Sequence, residues 1–223
     1  TLPNRLVMPP MGTGLGNEDS TVSEANLAYI RRRAQSGVGL VITEITCIHP
    51  SGLVSPHSLG VWDDKFIPGL TKMAQAIHDA GAKVAMQLHH CGRENYLFLK
   101  QKRAIGPSAV PSFVFGFLGP PREMTLGEIR EIIDAFGAGA ARAKAAGFDM
   151  VELHGAHGYL VAQFMSGLAN KRLDEFGGPF INRMRFPLEI IKNIRRKLET
   201  TAGGEQFIQT VHGVGYRFTD ATS

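Results

Sequence analysis

Apolar positions along this chain recur with two alternating periods. Residues 5–8, 38–48, 83–88 and 148–153 are short apolar runs, and 38–48 is apolar on both faces, as in a strand covered on both sides. Between and after them, residues 23–36, 66–80, 125–146 and 182–198 carry apolar side chains at helical spacing. Gly37, Gly81 and Gly147 close three of these segments, and Thr125 with Glu128 three residues on forms a capping box that opens the last of the three. Residues 92–122 form a long loop rich in proline, glycine and aromatics. Strand followed by helix, four times over, predicts right-handed crossovers and a parallel sheet.

The predicted strands are short, and polar residues gather just beyond their C-terminal ends. That layout suits a (β/α)8 barrel, whose chemistry sits in the βα loops. The expected fold is therefore α/β, a truncated (β/α)8 TIM barrel of four βα units, or half barrel, over residues 1–198. A doubly wound sheet is the alternative. Gly12-Thr13-Gly14-Leu15-Gly16 does follow the first strand, but Asn17 stands where a dinucleotide fingerprint needs its third glycine. No Gly-x-x-x-x-Gly-Lys phosphate loop occurs. The rhythm changes after Leu198. Residues 199–205 read as a turn-rich connector, and 207–211 and 216–219 as two strands of a β-hairpin joined through His212-Gly213-Val214-Gly215. Residues 199–223 are expected to be a second, small unit.

Composition narrows the class. With 223 residues, 43% hydrophobic and 20% charged, the chain can bury a sizeable core and is unlike a disordered protein. The net charge of +4 would only mildly favour an anionic partner, but the basic residues are unevenly spread. Arg183, Arg185, Lys192, Arg195, Arg196 and Lys197 crowd into one helix, read as a solvated face in preference to a nucleic-acid patch. Cys47 and Cys91 lie near strand ends without framework spacing and are expected to be reduced thiols. No charged-then-apolar leader and no apolar run of membrane-spanning length is seen, so a soluble, cytoplasmic protein is expected.

Candidate chemistry concentrates where the fourth strand ends. His154 and His157, three apart, are followed by Tyr159. Two imidazoles aimed at one oxygen stabilise charge developing on a carbonyl, and a phenol shielded from water can deliver a proton. His89, His90 and Cys91, with Cys47, His49 and His57, invite a metal reading. Adjacent histidines on a strand point to opposite sides, however, and the spacings match no zinc pattern, so no metal is expected. Met8, Met11, Met86 and Met150 read as core fillers.

Several longer motifs carry a family resemblance: Asn-Arg-Leu-Val-Met-Pro-Pro-Met at 4–11, Gly-Val-Gly-Leu-Val-Ile-Thr-Glu at 37–44 and Gln-Leu-His-His-Cys-Gly-Arg at 87–93. His-Gly-Ala-His-Gly-Tyr-Leu at 154–160, Asn-Lys-Arg-Leu-Asp-Glu-Phe-Gly-Gly at 170–178 and Asn182-Arg183-Met184-Arg185-Phe186 extend it. On these motifs residues 4–196 resemble the flavin-dependent old yellow enzyme family, in its 2,4-dienoyl-CoA reductase and 2-enoate reductase branch. The resemblance implies a (β/α)8 barrel with FMN at the strand C-termini. It implies that the backbone at Pro10 and Met11 faces the flavin ring, that Gln87 hydrogen-bonds its pyrimidine edge, and that Ile45 lies near it. By the same resemblance, His154 and His157 hold a substrate carbonyl oxygen. Tyr159 protonates the α-carbon after hydride reaches the β-carbon. The implied activity is reduction of an activated C=C bond in an α,β-unsaturated carbonyl, with NAD(P)H reducing the FMN. A flavin-contacting arginine on strand five and the phosphate-binding loops after strands seven and eight are implied to lie in the part of the barrel that residues 4–196 lack, with the iron–sulfur and NAD-binding parts of larger relatives beyond it.

The end of the chain resembles another family. Residues 194–199 and 207–218 look like the recognition-helix end and the wing of the winged-helix output domain of response regulators, with His212 where those wings carry an arginine. The two resemblances overlap at 194–198, which predicts a fusion made at a shared basic helix. A half barrel leaves two sheet edges open. A homodimer in which a second copy completes the barrel is therefore expected, with the hairpin capping one edge. Three functions stand side by side: an FMN-dependent ene-reductase, a non-catalytic chimeric half barrel capped by a winged-helix hairpin, and a residual DNA-binding fragment using Arg195, Arg196, Lys197 and Arg217. Half a reading head does not specify sequence, so specific DNA binding is not expected.

Overall fold

A computed structural model describes residues 2–95, 104–112, 119–201, 208–211 and 215–218. Val7–Met8 (β1), Leu40–Cys47 (β2), Lys83–His89 (β4) and Met150–Leu153 (β7) form a parallel sheet in the order β1-β2-β4-β7, with Leu59–Gly60 (β3) added beside β2. Two short pieces, Ile105–Gly106 (β5) and Arg122–Glu123 (β6), pair with each other. Helices Glu24–Ala34 (α1), Ile67–His78 (α2) and Leu126–Ala145 (α3) follow β1, β2 and β4. After β7 come Leu160–Met165 (α4), Phe180–Arg183 (α5) and Arg185–Thr201 (α6).

Sheet order equals sequence order, and the helices pack in series, α1 on α2, α2 on α3 and α3 on α6. No strand-order reversal occurs among the described strands, so the doubly wound alternative is set aside. The four predicted βα units are all present.

The helix ends follow local chemistry. Ser23 caps α1 in a capping box with Asn26, and Thr125 caps α3 with Glu128 as expected. At the far end of α3, Gly147 adopts φ +86° and lets the Phe148 N–H return to the Ala143 carbonyl. The face of α3 that carries Ile129, Ile132, Phe136, Ala140 and Ala143 is buried. It meets Phe186, Ile190, Ile194 and Leu198 of α6, spaced four apart. The two helices approach closely at Gly137, where an added Cβ would stand 3.1 Å from the Asn193 side chain.

Three sequence expectations change. The helix expected over 182–198 is two helices, because Pro187 has no N–H to bond within a continuous helix and fits only in a first turn, here that of α6. Helix α4 went unread because six residues are too few to show a helical period. Met11 is 53% exposed and fills no core, whereas Met86 is fully buried and Met8 packs at the core edge.

The predicted hairpin is present as Ile208–Val211 (β8) against Gly215–Phe218 (β9), antiparallel with Ile208 opposite Phe218. The residues joining its strands, 212–214, and residues 202–207 of the connector lie outside the described residues. No described helix is long and apolar enough to cross a membrane.

Candidate active site

The register of the sheet sets one row of the site. Ile45 on β2 pairs with Gln87 on β4, and Gln87 pairs with Glu152 on β7. Side chains of successive strands at one register level share a face. The Gln87 Nε2 donates to Glu152 Oε1 at 3.0 Å. Gln87 is only 3% exposed, yet its Oε1 accepts from no described residue.

Two residues further along each strand lie His89 and His154, followed by the turn that carries His157 and Tyr159. The ring nitrogens His154 Nε2 and His157 Nδ1 stand 3.4 Å apart. The Tyr159 ring lies 5.1 Å from the His154 ring and 4.5 Å from the His89 ring. His157 reaches this position through φ +53°, unusual for a residue with a side chain, and Gly158 follows at φ +71°. Burial first, and the neighbouring His157 second, lower the His154 pKa to about 4. At neutral pH His154 is therefore an uncharged imidazole with one N–H to give. His89 is fully buried, without a hydrogen-bond partner on either nitrogen among the described residues, and burial holds its pKa well below the usual histidine range.

The loops that carry these groups are tied together. Gln163 of α4 donates to the carbonyls of Cys91 and Gly158 and accepts from the Arg93 N–H, which joins the turn after β4 to the turn after β7. Gly92 makes room for this clamp, since a Cβ there would lie 2.3 Å from Gln163 Oε1. On the other side, buried Glu44 accepts from the Thr13 N–H and hydroxyl and from Asn26. Burial raises its pKa against the bonds from Thr13. This ties down the loop after β1 that presents half-buried Pro10 and exposed Met11. The 170–178 motif is scaffold. Arg172 is buried and donates to the carbonyls of Pro107 and Met124, and Asn170 bridges the carbonyls of Phe164 and Phe176.

His90 points away from His89, as adjacent strand positions require. Gly92 N–H donates to His90 Nδ1, so His90 Nε2 carries the proton toward Ser51 Oγ at 3.0 Å. The Ser51 hydroxyl in turn meets His49 Nδ1 at 2.7 Å, and His49 Nε2 faces Glu131 at 3.5 Å. His90 is fully buried, and its pKa is pushed down to about 3 by burial first and then by His49. His57 is engaged with the Gly16 carbonyl. Burial drives the Cys47 thiol up to about 12 and Cys91 well above its usual value, so both stay protonated. The candidate metal residues are thus divided between two faces of the sheet. On α6, Arg185 pairs with Glu175 and Arg196 lies 3.9 Å from Asp134, so part of this basic helix is committed to ion pairs.

A profile of the NADH:flavin oxidoreductase / NADH oxidase family matches residues 1–221. The chain belongs to this family. The match takes in the β8–β9 hairpin as well as the barrel-type units. An NADH oxidase of Thermoanaerobacter brockii is 49% identical over 195 residues, 86% of this chain and 30% of that relative. Old Yellow Enzyme from Pichia sp. AKU4542 superposes with a TM-score of 0.83 at 32% identity, covering 90% of this chain and 54% of its own. Morphinone reductase in complex with tetrahydroNAD gives a TM-score of 0.81 at 32% identity, covering 90% and 58%. The chain thus spans roughly a third to three-fifths of the length of these relatives. In this family member most of the sequence-predicted residues fall into two groups that share the C-terminal side of the sheet, Ile45 and Gln87 in register, and His154, His157 and Tyr159 in contact. His89, Glu152 and Gln163 were not foreseen as parts of the site. The visible clue was the spacing of two, which puts His89 on the face of Gln87 and Glu152 on the face of His154.

Proposed function

We propose that the chain forms the flavin-facing part of an FMN-dependent oxidoreductase that reduces the activated C=C bond of an α,β-unsaturated carbonyl, with NAD(P)H as the reductant. The observation that carries this reading is the convergence of the His154 and His157 nitrogens to 3.4 Å beside Tyr159, next to the Ile45–Gln87 row. Gln87 is buried, and its Oε1, which accepts from no described residue, fits a planar ring edge that offers an N–H. Bound FMN would supply the hydride. The chain's own part is to hold ring and substrate. Gln87 takes the ring edge, Ile45 packs beside it, and the backbone at Pro10 and Met11 faces it. His154 and His157 donate to the carbonyl oxygen where enolate charge grows. The Tyr159 hydroxyl gives its proton to the α-carbon. The tetrahydroNAD complex of morphinone reductase supports a nicotinamide reductant.

The test is the visible spectrum of the purified chain after incubation with FMN and desalting. Flavin bands that survive, and bleach when NADH or NADPH is added, are expected. A colourless protein that takes up no flavin rules the reading out. Among the described strands, β7 pairs only with β4 and β1 only with β2, which supports a second copy as the partner across the free edges. A folded monomer in sedimentation at micromolar concentration would exclude that assembly. The β8–β9 hairpin supports a second reading, a non-catalytic half barrel capped by a winged-helix-type hairpin. That reading predicts a stably folded chain with no affinity for FMN.

A further inference from the structure

We infer that Glu152 is a positioning residue that fixes the Gln87 amide, so that it offers one acceptor and one donor to an imide edge of the ring. This rests on the flavin reading above. A primary amide has two orientations of similar shape, and only its partners decide between them. An ionised carboxylate can only accept, so the 3.0 Å contact with Glu152 Oε1 assigns the nitrogen of Gln87 to that side. The Oε1 and the second N–H then remain for the site. Gln87 has 3% exposure and no other described partner, so the strand and the carboxylate leave it little freedom to turn over. An acceptor beside a donor complements a ring N–H flanked by a carbonyl oxygen, which is the pattern at N3 and C2 of an isoalloxazine. Glu152 reaches this place through strand register, directly opposite Gln87. It touches the amide and not the ring.

The inference predicts discrimination between FMN and 3-methyl-FMN, in which the N3 hydrogen is replaced by a methyl group. Fluorescence titration of the full chain should show FMN binding about tenfold or more tightly than 3-methyl-FMN, since the methyl leaves Oε1 unsatisfied. In Glu152→Gln the side chain at 152 can donate as well as accept, so the direction is lost and the ratio should fall to within about threefold. A variant that keeps the wild-type ratio, or a wild type that binds both flavins equally, overturns the positioning role while leaving flavin binding intact. A wild type that binds neither overturns the flavin reading and this inference with it. Should Glu152→Gln fail to fold, the wild-type chain still decides by NMR. One side-chain amide hydrogen of Gln87 should exchange slowly without ligand, held by Glu152. Exchange of both at the rate of a free amide overturns the inference.

Discussion

His89 sits with its ring 4.5 Å from Tyr159 and 5.5 Å from His154, and neither of its nitrogens has a hydrogen-bond partner among the described residues. A buried polar group without a partner costs about 1–3 kcal/mol, and an apolar group of the same shape removes that cost. His89→Phe should therefore leave stability unchanged or raise it by about 1 kcal/mol in urea denaturation. A loss above about 2 kcal/mol would mean that the imidazole is satisfied in solution by a group it does not meet here. Tyr159 is expected to behave differently, because the role proposed for it is proton donation and not packing. Tyr159→Phe keeps the ring against His89 and His154 but removes the transferable proton. Loss of a positioned proton donor slows a reaction by about 10²–10⁴-fold. The oxidation of reduced flavin by an enone, followed by stopped flow, should slow on that scale while FMN affinity stays as in the wild type. Unchanged oxidation would remove Tyr159 from the proton path.

At the scale of elements, what positions the site is the clamp between the turns after β4 and β7. Gly92 holds φ +61° directly beside Gln163 Oε1. Gly92→Ala adds strain in a left-handed conformation and drives a methyl into the amide. It should cost about 2 kcal/mol or more and loosen His154 and Tyr159, lowering both the melting temperature and FMN affinity. A variant with wild-type melting would show that the clamp is dispensable. This device was not legible in the sequence, because Gln163 and Gly92 are far apart in the chain and neither belongs to a periodic pattern. The long elements were legible for the converse reason. In α3 the apolar spacing agrees with both ends, the Thr125–Glu128 capping box at the start and Gly147 past the finish, and the structure places the helix between them. The grouping of His154, His157 and Tyr159 was legible from residue type at a strand end. Its neighbours were not, since Glu152 and His89 acquire meaning only from strand register.

At the scale of the whole molecule, the buried histidines couple the site to the stability of the fold. Burial lowers the pKa of His90 to about 3 and of His154 to about 4, and holds His89 well below the ordinary value of 6.5. The folded chain therefore keeps these three imidazoles neutral at a pH where the unfolded chain protonates them. Between about pH 6 and pH 4.5 the unfolded state binds more protons, so stability must fall as the solution is acidified. The carboxyls of Asp149 and Asp174 do not offset this, whereas buried Glu44, whose pKa is raised, opposes part of it. Burial opposes ionisation of Asp149, but the bonds from Lys83 and His78 outweigh it, and Arg172 leads the causes at Asp174. Both pKa values are lowered, so their contributions persist until the pH falls through the carboxylate range. Three extra protons on the unfolded chain give a slope of up to about 4 kcal/mol per pH unit near pH 5. Urea midpoints measured across this window should fall steeply toward acid. In His89→Phe the slope should drop by about a third, because one of the three protons no longer counts. A flat profile from pH 7 to pH 4.5 would show that these histidines are protonated or solvated in the folded chain, and the neutral His154 donor on which the proposed carbonyl site relies would go with them.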